Sequence, residues 1–524
     1  MAYTNDGLGF YLRPQEGVRE SVSREVKRSV AGYSALNLAG NGLRIVLSFI
    51  TVIFASRWLG ASDFGKASLI LAYTGYLYYL LTLGFDYGLP FFIGGGRKGA
   101  DARTGASALR VGLTISTVVA LLVFLLAWFI VPPILERAKM VDLFWPVVIF
   151  TVQMWVGAVG YIFGGYLRGM KTFIPVILKD QILFPAFHFL GLFLLVKMYP
   201  GGVMGYSIGY SCATLFSVVY AGMRVLAVRR MSLGRSPAPA WPVKQWKSWV
   251  SYSFPLAIMG GLEPFLVSIS VMMAGWHFAT GEVAKIVVSL RVAVFVQFLL
   301  VVLAPVYSPY MADLWKRGRK KELGDLYRTM SFWSSKWSIL LAFFLASSSD
   351  FVMRLFGGAY GGAGLVLLMI LPGTVFEGCL GVSRLSLIMA GRNKANAILT
   401  ALAIGLNLLF GNLLAPHYGL MGIAGAFSLS WLALNLGRIA WYRAVSGSLP
   451  FDVSQVRYLA ALIAVLSGCW WAISLLGLSQ NMTMAVSSGV FLAGLIWAYW
   501  GDRDLFLSRF IGRNRTGKSV QENS

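Results

Sequence analysis

The sequence predicts an all-α, polytopic integral membrane protein of about 14 transmembrane helices, arranged as two parallel six-helix lobes with two further helices at the C-terminal end. Three observations predict it. Hydrophobic residues fill 57% of the 524 positions against 13% charged, with mean hydropathy +0.69. Apolar runs of about 20 residues, the length that crosses a ~30 Å hydrocarbon core, recur along the chain. Finally, the stretch Tyr33 to Lys66 has a second copy 219 positions downstream.

Residues 1–32 form a polar tail carrying Arg13, Arg19, Arg24, Lys27 and Arg28. It has no short apolar core followed by a small-residue cleavage site, which argues against a cleaved signal peptide. Val18, Val22 and Val26 recur at helical spacing, so an amphipathic surface helix and a solvated tail are both open. Residues 33–228 hold spans at 34–56, 67–93, 106–131, 142–165, 173–196 and 203–226. A basic, Pro- and Ser-bearing linker, 229–249, separates them from the second lobe, 250–445. That lobe holds spans at 250–275, 284–308, 333–349, 362–388, 395–415 and 419–441. The region 446–500 adds spans at 458–477 and 482–500, and 501–524 is a polar C-terminal tail.

With the N-terminus placed in the cytoplasm, 36 of the 45 Lys and Arg fall on the inside and seven on the outside, leaving Arg44 and Arg291 within spans. This positive-inside bias puts both termini in the cytoplasm. The formal charge of +24 is therefore a topology signal: the cations lie in short loops, with no single basic face of interleaved aromatics for nucleic acid. Cys212, Cys379 and Cys469 sit in separate apolar runs, and His188, His277 and His417 lie far apart. These counts argue for no metal, cofactor or disulfide framework.

The repeat aligns Tyr33-Ser34 with Tyr252-Ser253, Gly42-Leu43-Arg44 with Gly261-Leu262-Glu263, and Asp63 to Lys66 with Glu282 to Lys285. Gly202 to Gly205 likewise matches Gly419 to Gly422, and the Gly169-x-Lys171 turn resembles Gly391-x-x-Lys394. Six spans separate the copies. Both therefore enter the membrane in the same direction, as a parallel duplication.

A first span with a mid-helix Arg44, then Arg57 to Gly65 (RWLGASDFG), Leu83 to Ile93 (LGFDYGLPFFI) and the Pro-Gly entries to spans six and twelve resemble the polysaccharide transporters, or Wzx-type flippases, of the MOP (MATE-like) exporter superfamily. The resemblance covers most of residues 30–445. It implies two lobes around a cavity open alternately to the two sides of a bacterial cytoplasmic (inner) membrane. The expected cargo is undecaprenyl-diphosphate-linked oligosaccharide, used in making a surface glycan such as an exopolysaccharide or O-antigen. Some members carry two further helices, as at 458–500 here. The expected partners are that lipid-linked substrate, membrane lipids and the polysaccharide biosynthesis machinery, around a monomeric transporter.

A charge at mid-helix costs about 2.5–3.5 kcal/mol on insertion scales and faces a bundle interior or a watery cavity. Arg44, Glu263, Arg291 and Glu377 are such residues, and Arg384 follows Glu377 by seven positions on the same face. They form the expected substrate cavity. In one reading Arg44 and Arg291 attract the diphosphate while Glu263 or Glu377 exchanges H+ or Na+. In the other, Arg44 pairs with its repeat counterpart Glu263 as a latch between lobes. Asp86 is expected to cap or pair with a loop cation such as Arg97, Lys179-Asp180 to form a structural pair, and His188 to be a satisfied core residue. Asn37, Asn41, Gln153, Gln181 and Gln297 suit sugar contacts or bonds between helices. Most of the aromatics, including Tyr73, Tyr76, Tyr78 and Tyr79, fit a membrane belt, with sugar stacking as the alternative.

Two further function classes remain open. A MATE-type exporter of cations shares the architecture but favours acidic over basic cavity residues. A membrane polymerase or glycosyltransferase needs a large external loop or a cluster of catalytic acids, and neither is visible, so no enzyme activity is expected.

Overall fold

A computed structural model describes residues 16–94, 102–198, 201–233 and 245–506. The expectations for residues 1–15, for the loop cations Arg97 and Lys98, for most of the linker and for the end of the C-terminal tail lie outside these residues. Among the described residues the chain is helical, with no strand.

The first lobe opens with α1, Glu16–Thr74, whose backbone breaks at Gly60 (φ 75°, ψ 168°), a conformation that favours glycine. Residues 18–30, for which the sequence leaves an amphipathic helix and a solvated tail both open, are helical and continuous with the rest of α1. Next come α2 (Leu77–Thr82), α3 (Phe85–Gly94), α4 (Ala102–Arg137) and α5 (Phe144–Gly169). The fifth span is assembled from α6 (Ile174–Ile177), a π-helical segment Leu178–Leu183, α7 (Phe184–Leu192) and a second π segment Phe193–Met198; α8 is Gly202–Leu233.

The second lobe begins with α9 (Trp246–His277) and α10 (Thr280–Ala293), continues through a 3-10 turn, Val294–Gln297, into α11 (Phe298–Lys316), and adds α12 (Lys320–Ser347) and α13 (Ser349–Arg354). Then follow α14 (Gly364–Leu380), α15 (Val382–Met389), α16 (Asn393–Tyr418) and α17 (Leu420–Ser446). The C-terminal pair is α18 (Val453–Leu475) and α19 (Gln480–Phe506).

Among the described residues eleven helical stretches are long and apolar enough to cross a membrane, or twelve if α14 and α15, bent by 44°, count as one span. Ala39–Ile93 alone has 55 residues, about 80 Å at 1.5 Å per residue, and the break at Gly60 divides it into the first and second expected spans. The ninth expected span lies in α12, whose first turns carry Lys320, Lys321, Glu322, Asp325 and Arg328.

Backbone irregularities repeat as the sequence does. Left-handed residues recur as Lys139 and Gly357, Lys171 and Gly391, and Gly202 and Gly419. The second span is interrupted after Thr74, and the eighth at Val294–Gln297, the position 219 residues on. These recurrences follow the offset of the sequence repeat.

Copies of the repeated turn meet across the lobes. Ser62 Oγ lies 3.1 Å from Thr280 Oγ1, and a Cβ on Gly65 would stand 1.8 Å from the Thr280 carbonyl oxygen. Only glycine allows that approach. Beside it, Arg57 Nε donates to the Leu355 carbonyl at 2.7 Å, Ser56 Oγ donates to the Phe356 carbonyl at 3.0 Å, and Phe49 meets Phe295 and Phe356 edge-on. The other end of the lobe contact joins α3 to α9: Phe91 stacks on Tyr252 at 4.5 Å, and a Cβ on Gly84 would fall 2.1 Å from the Ser253 carbonyl oxygen. Around these contacts one apolar core runs through both lobes, joining Phe64, Leu69 and Ile70 to Leu266, Met273, Val283 and Val287.

Candidate transport site between the lobes

Glu263 precedes Pro264 in α9, where the ring removes a backbone donor and frees a carbonyl one turn earlier. Arg384 Nη1 donates to Glu263 Oε2 at 2.7 Å. Arg438, on α17, completes a fork: Nη2 donates to Glu263 Oε1, Nη1 to Glu377 Oε2 at 3.1 Å, and Nε to Asn396 Oδ1 at 2.9 Å. Asn435, one turn before Arg438, donates to Glu377 Oε2 at 3.0 Å, and Arg384 Nε lies 3.6 Å from Glu377 Oε1. A planar guanidinium suits this threefold donation.

Glu377 and Arg384 flank the 44° bend between α14 and α15, so their ion pair spans the kink. A Cβ on Gly381 at that bend would lie 2.8 Å from Glu377 Oε1. The cluster contains two carboxylates and two guanidiniums. It is neutral as a whole and ties α9, α14, α15, α16 and α17 together.

The first lobe has its own polar network. Lys179, in the π-helical turn, is 3% exposed, pairs with Asp180 and sits 4.7 Å from the Tyr161 ring centroid. Gln181 Nε2 donates to Asn37 Oδ1 at 2.7 Å, and Asn41 Nδ2 to the Asn37 carbonyl at 3.0 Å. Gly40 makes room for this pair, because a Cβ there would fall 1.9 Å from Gln181 Oε1. Tyr78 Oη donates to Asp86 Oδ2 at 3.3 Å, and Arg168 Nη2 to the Asp86 carbonyl at 3.1 Å. Tyr78 also packs on Tyr161 at 4.3 Å.

Arg44 and Arg291 stand apart from both networks. Both are exposed, and neither forms an ion pair among the described residues. Arg44 is within electrostatic reach of Tyr161 on α5. Arg291, on the second lobe, is within electrostatic reach of His188, Tyr206 and Tyr210 of the first lobe.

The five expected cavity residues thus divide in two. Arg44 and Arg291 face open space, while Glu263, Glu377 and Arg384 are held in one cluster. The latch between Arg44 and Glu263 is not formed, because both Glu263 oxygens are taken by guanidiniums of its own lobe. Arg438, counted among the cytoplasmic cations, is fully buried; the available signal was its place inside the drawn span 419–441, three residues after Asn435. Lys179 and Lys336, also counted as cytoplasmic, are buried, which narrows the charge bias without reversing it.

Asp86 accepts from the Tyr78 hydroxyl on its carboxylate and from Arg168 on its carbonyl, while Arg97 lies outside the described residues. His188 Nε2 is buried with no hydrogen-bond partner among the described residues, against the expectation of a satisfied core residue. Gln153 bonds Thr214 and Gln181 bonds Asn37, both between helices. Among the described residues no three His, Cys, Asp or Glu converge as metal ligands.

No protein-family model and no curated protein matches the sequence. Solved structures do match. The lipid II flippase MurJ, in an inward closed conformation, superposes with TM-score 0.68 at 14% identity over 90% of this chain and 99% of its own. An inward-facing multidrug resistance MATE family transporter of the MOP superfamily does so with TM-score 0.66 at 13% identity, over 79% and 98%. A MATE transporter of Vibrio cholerae gives 0.56 at 13% identity, over 81% and 98%. The chain is a polytopic membrane protein that shares the fold of these transporters and this flippase.

Proposed function

We propose that the chain is a flippase that carries undecaprenyl-diphosphate-linked oligosaccharide, the repeat unit of a polysaccharide such as an exopolysaccharide or O-antigen, across a bacterial cytoplasmic membrane by alternating access. The observation that carries this reading is the charge balance of the interior. Glu263 and Glu377 are matched by Arg384 and Arg438, which leaves Arg44 and Arg291 as uncompensated charges on facing lobes. Two arginines suit a diphosphate, each offering planar, paired donors. Cation export of the MATE kind asks for the reverse: free carboxylates in the cavity.

The same reading places both termini in the cytoplasm and the chain as a monomer beside the enzymes that make the glycan, itself without enzyme activity or cofactor. Exchange of H+ or Na+ at Glu263 or Glu377 supplies the coupling step, because neutralising either carboxylate leaves Arg384 and Arg438, which brace the bend at Gly381, sharing a single charged partner. Deletion of the gene tests the function. Lipid-linked sugars are expected to accumulate while the surface glycan falls; unchanged levels of both, with altered tolerance to cationic compounds, would replace this reading with the exporter.

A further inference from the structure

We propose that the seam between α2 and α9 binds a polyprenyl chain, the tail of the lipid-linked anion whose diphosphate meets Arg44 and Arg291; the assignment rests on the flippase reading. A cavity of about 250 Å³ lies there, walled by Tyr76 and Tyr79 on one side and by Phe254, Ala257, Gly261 and Phe265 on the other. It lies where the second span is interrupted before α2 and faces the stretch of α9 that carries Pro264. The Tyr76 hydroxyl donates to the Pro264 carbonyl at 2.9 Å, which uses up that polar atom of the wall.

Duplication gives this seam a counterpart whose equivalent position holds a larger side chain. At the seam between α1 and α10–α11, Phe49 fills the space against Phe295 at 4.7 Å. The residue 219 positions after Phe49 is Ser268, too small to do the same beside Tyr76.

Depth and continuity identify the occupant. Gly261 sits halfway along α9, Trp246–His277, about 22 Å from either end at 1.5 Å per residue and so within the hydrocarbon layer. Leu80 and Ile258 at the rim are 45% and 50% exposed, which opens the cavity to lipid. An apolar cavity of this kind stays dry and takes apolar guests. From it an aromatic wall leads on: Tyr79 packs on Tyr78 at 4.5 Å and Tyr78 on Tyr161 at 4.3 Å, with Tyr161 within electrostatic reach of Arg44. A chain tethered to a diphosphate at Arg44 reaches the cavity at high effective concentration, an advantage that an unattached phospholipid chain lacks.

The test uses the full chain in lipid nanodiscs and a long-chain polyprenyl diphosphate carrying a diazirine in its tail. Irradiation is expected to label peptides spanning Tyr76–Thr82 and Phe254–Phe265, and excess unlabelled polyprenyl diphosphate should suppress that labelling. Ile258→Trp or Leu80→Trp, each closing the rim from one side, should lower it at least fivefold with the melting temperature unchanged; Leu402→Trp, at a 61% exposed position on α16, should not. Labelling that persists through both rim variants overturns the assignment. So does equal labelling of the same peptides by a diazirine phosphatidylethanolamine that polyprenyl diphosphate fails to displace. A polyprenol probe without the diphosphate separates the two readings: the diphosphate should label at least tenfold better in wild type but not in Arg44→Ala. Absence of that advantage in wild type defeats the anion site at Arg44, while the response to the rim variants still decides the cavity.

Discussion

Arg438 donates from Nη1 to Glu377 Oε2 at 3.1 Å with the two side chains 0% and 2% exposed. The pair lies at the centre of the second lobe and fixes how the remaining charges are used. With Arg438 and Arg384 dividing Glu263 and Glu377 between them, these two acids are committed within the second lobe. Arg44 and Arg291 form no ion pair with either of these acids.

Breaking this pair from one side strands a buried carboxylate. Arg438→Met should cost about 3–5 kcal/mol, the usual penalty for an uncompensated buried charge, and lower the melting temperature of the purified protein. Adding Glu377→Gln should recover a large part of that loss, since neither charge then remains unpaired. A single variant that melts like wild type would show that the cluster contributes nothing to stability.

Asp452 offers a pH-dependent test outside the membrane spans. Its carboxylate caps α18, accepting from the Gln455 amide at 2.8 Å and the Ser454 hydroxyl at 2.6 Å, and these bonds hold its pKa below the ordinary value. A depressed folded value means the stabilisation is present above the unfolded pKa of about 3.9 and is lost as pH falls through the folded one. At neutral pH Asp452→Ala should cost about 0.5–1 kcal/mol and speed amide exchange at Val453–Val456. At a pH below the folded value the two proteins should exchange alike.

The spans and the duplication were legible because hydropathy and repeat spacing are written along the chain. Arg44 and Arg291 stood out for the cost of a charge at mid-helix. Pairing was not legible, because the repeat aligns Arg44 with Glu263 in sequence while pseudo-equivalent positions belong to different lobes. The kink at Gly381 then brings Arg384, seven residues past Glu377, into the Glu263 cluster. Arg438 was hidden by its nearness to a span end, where a cation reads as a topology signal. The 3-10 turn Val294–Gln297 contains neither Gly nor Pro, so no local signal announced it.

Alternating access requires the contact between α3 and α9 to part. Phe91 and Tyr252, stacked at 4.5 Å and both partly exposed, are suitable positions for a cross-link. In a background where the exposed Cys212 is replaced by Ser, Phe91→Cys with Tyr252→Cys should form a disulfide on oxidation, stop glycan export and regain export on reduction. Full export with the disulfide intact would mean that this seam stays closed throughout the cycle.

Arg44 decides between substrate contact and an internal role. Arg44→Ala should reduce export at least tenfold with membrane expression nearly unchanged, because no ion pair among the described residues is lost. Arg44→Lys should restore export only in part, since lysine keeps the charge but not the planar fork. Glu263→Ala acts elsewhere, leaving Arg384 and Arg438 short of a partner. The two losses should therefore combine in Arg44→Ala with Glu263→Ala, as for groups without direct coupling. Export measured against membrane expression for the four proteins provides the cycle. Recovery toward wild type in the double variant would mean that Arg44 and Glu263 pair in another state of the cycle, and Arg291 would then be the first residue to examine as the anion site.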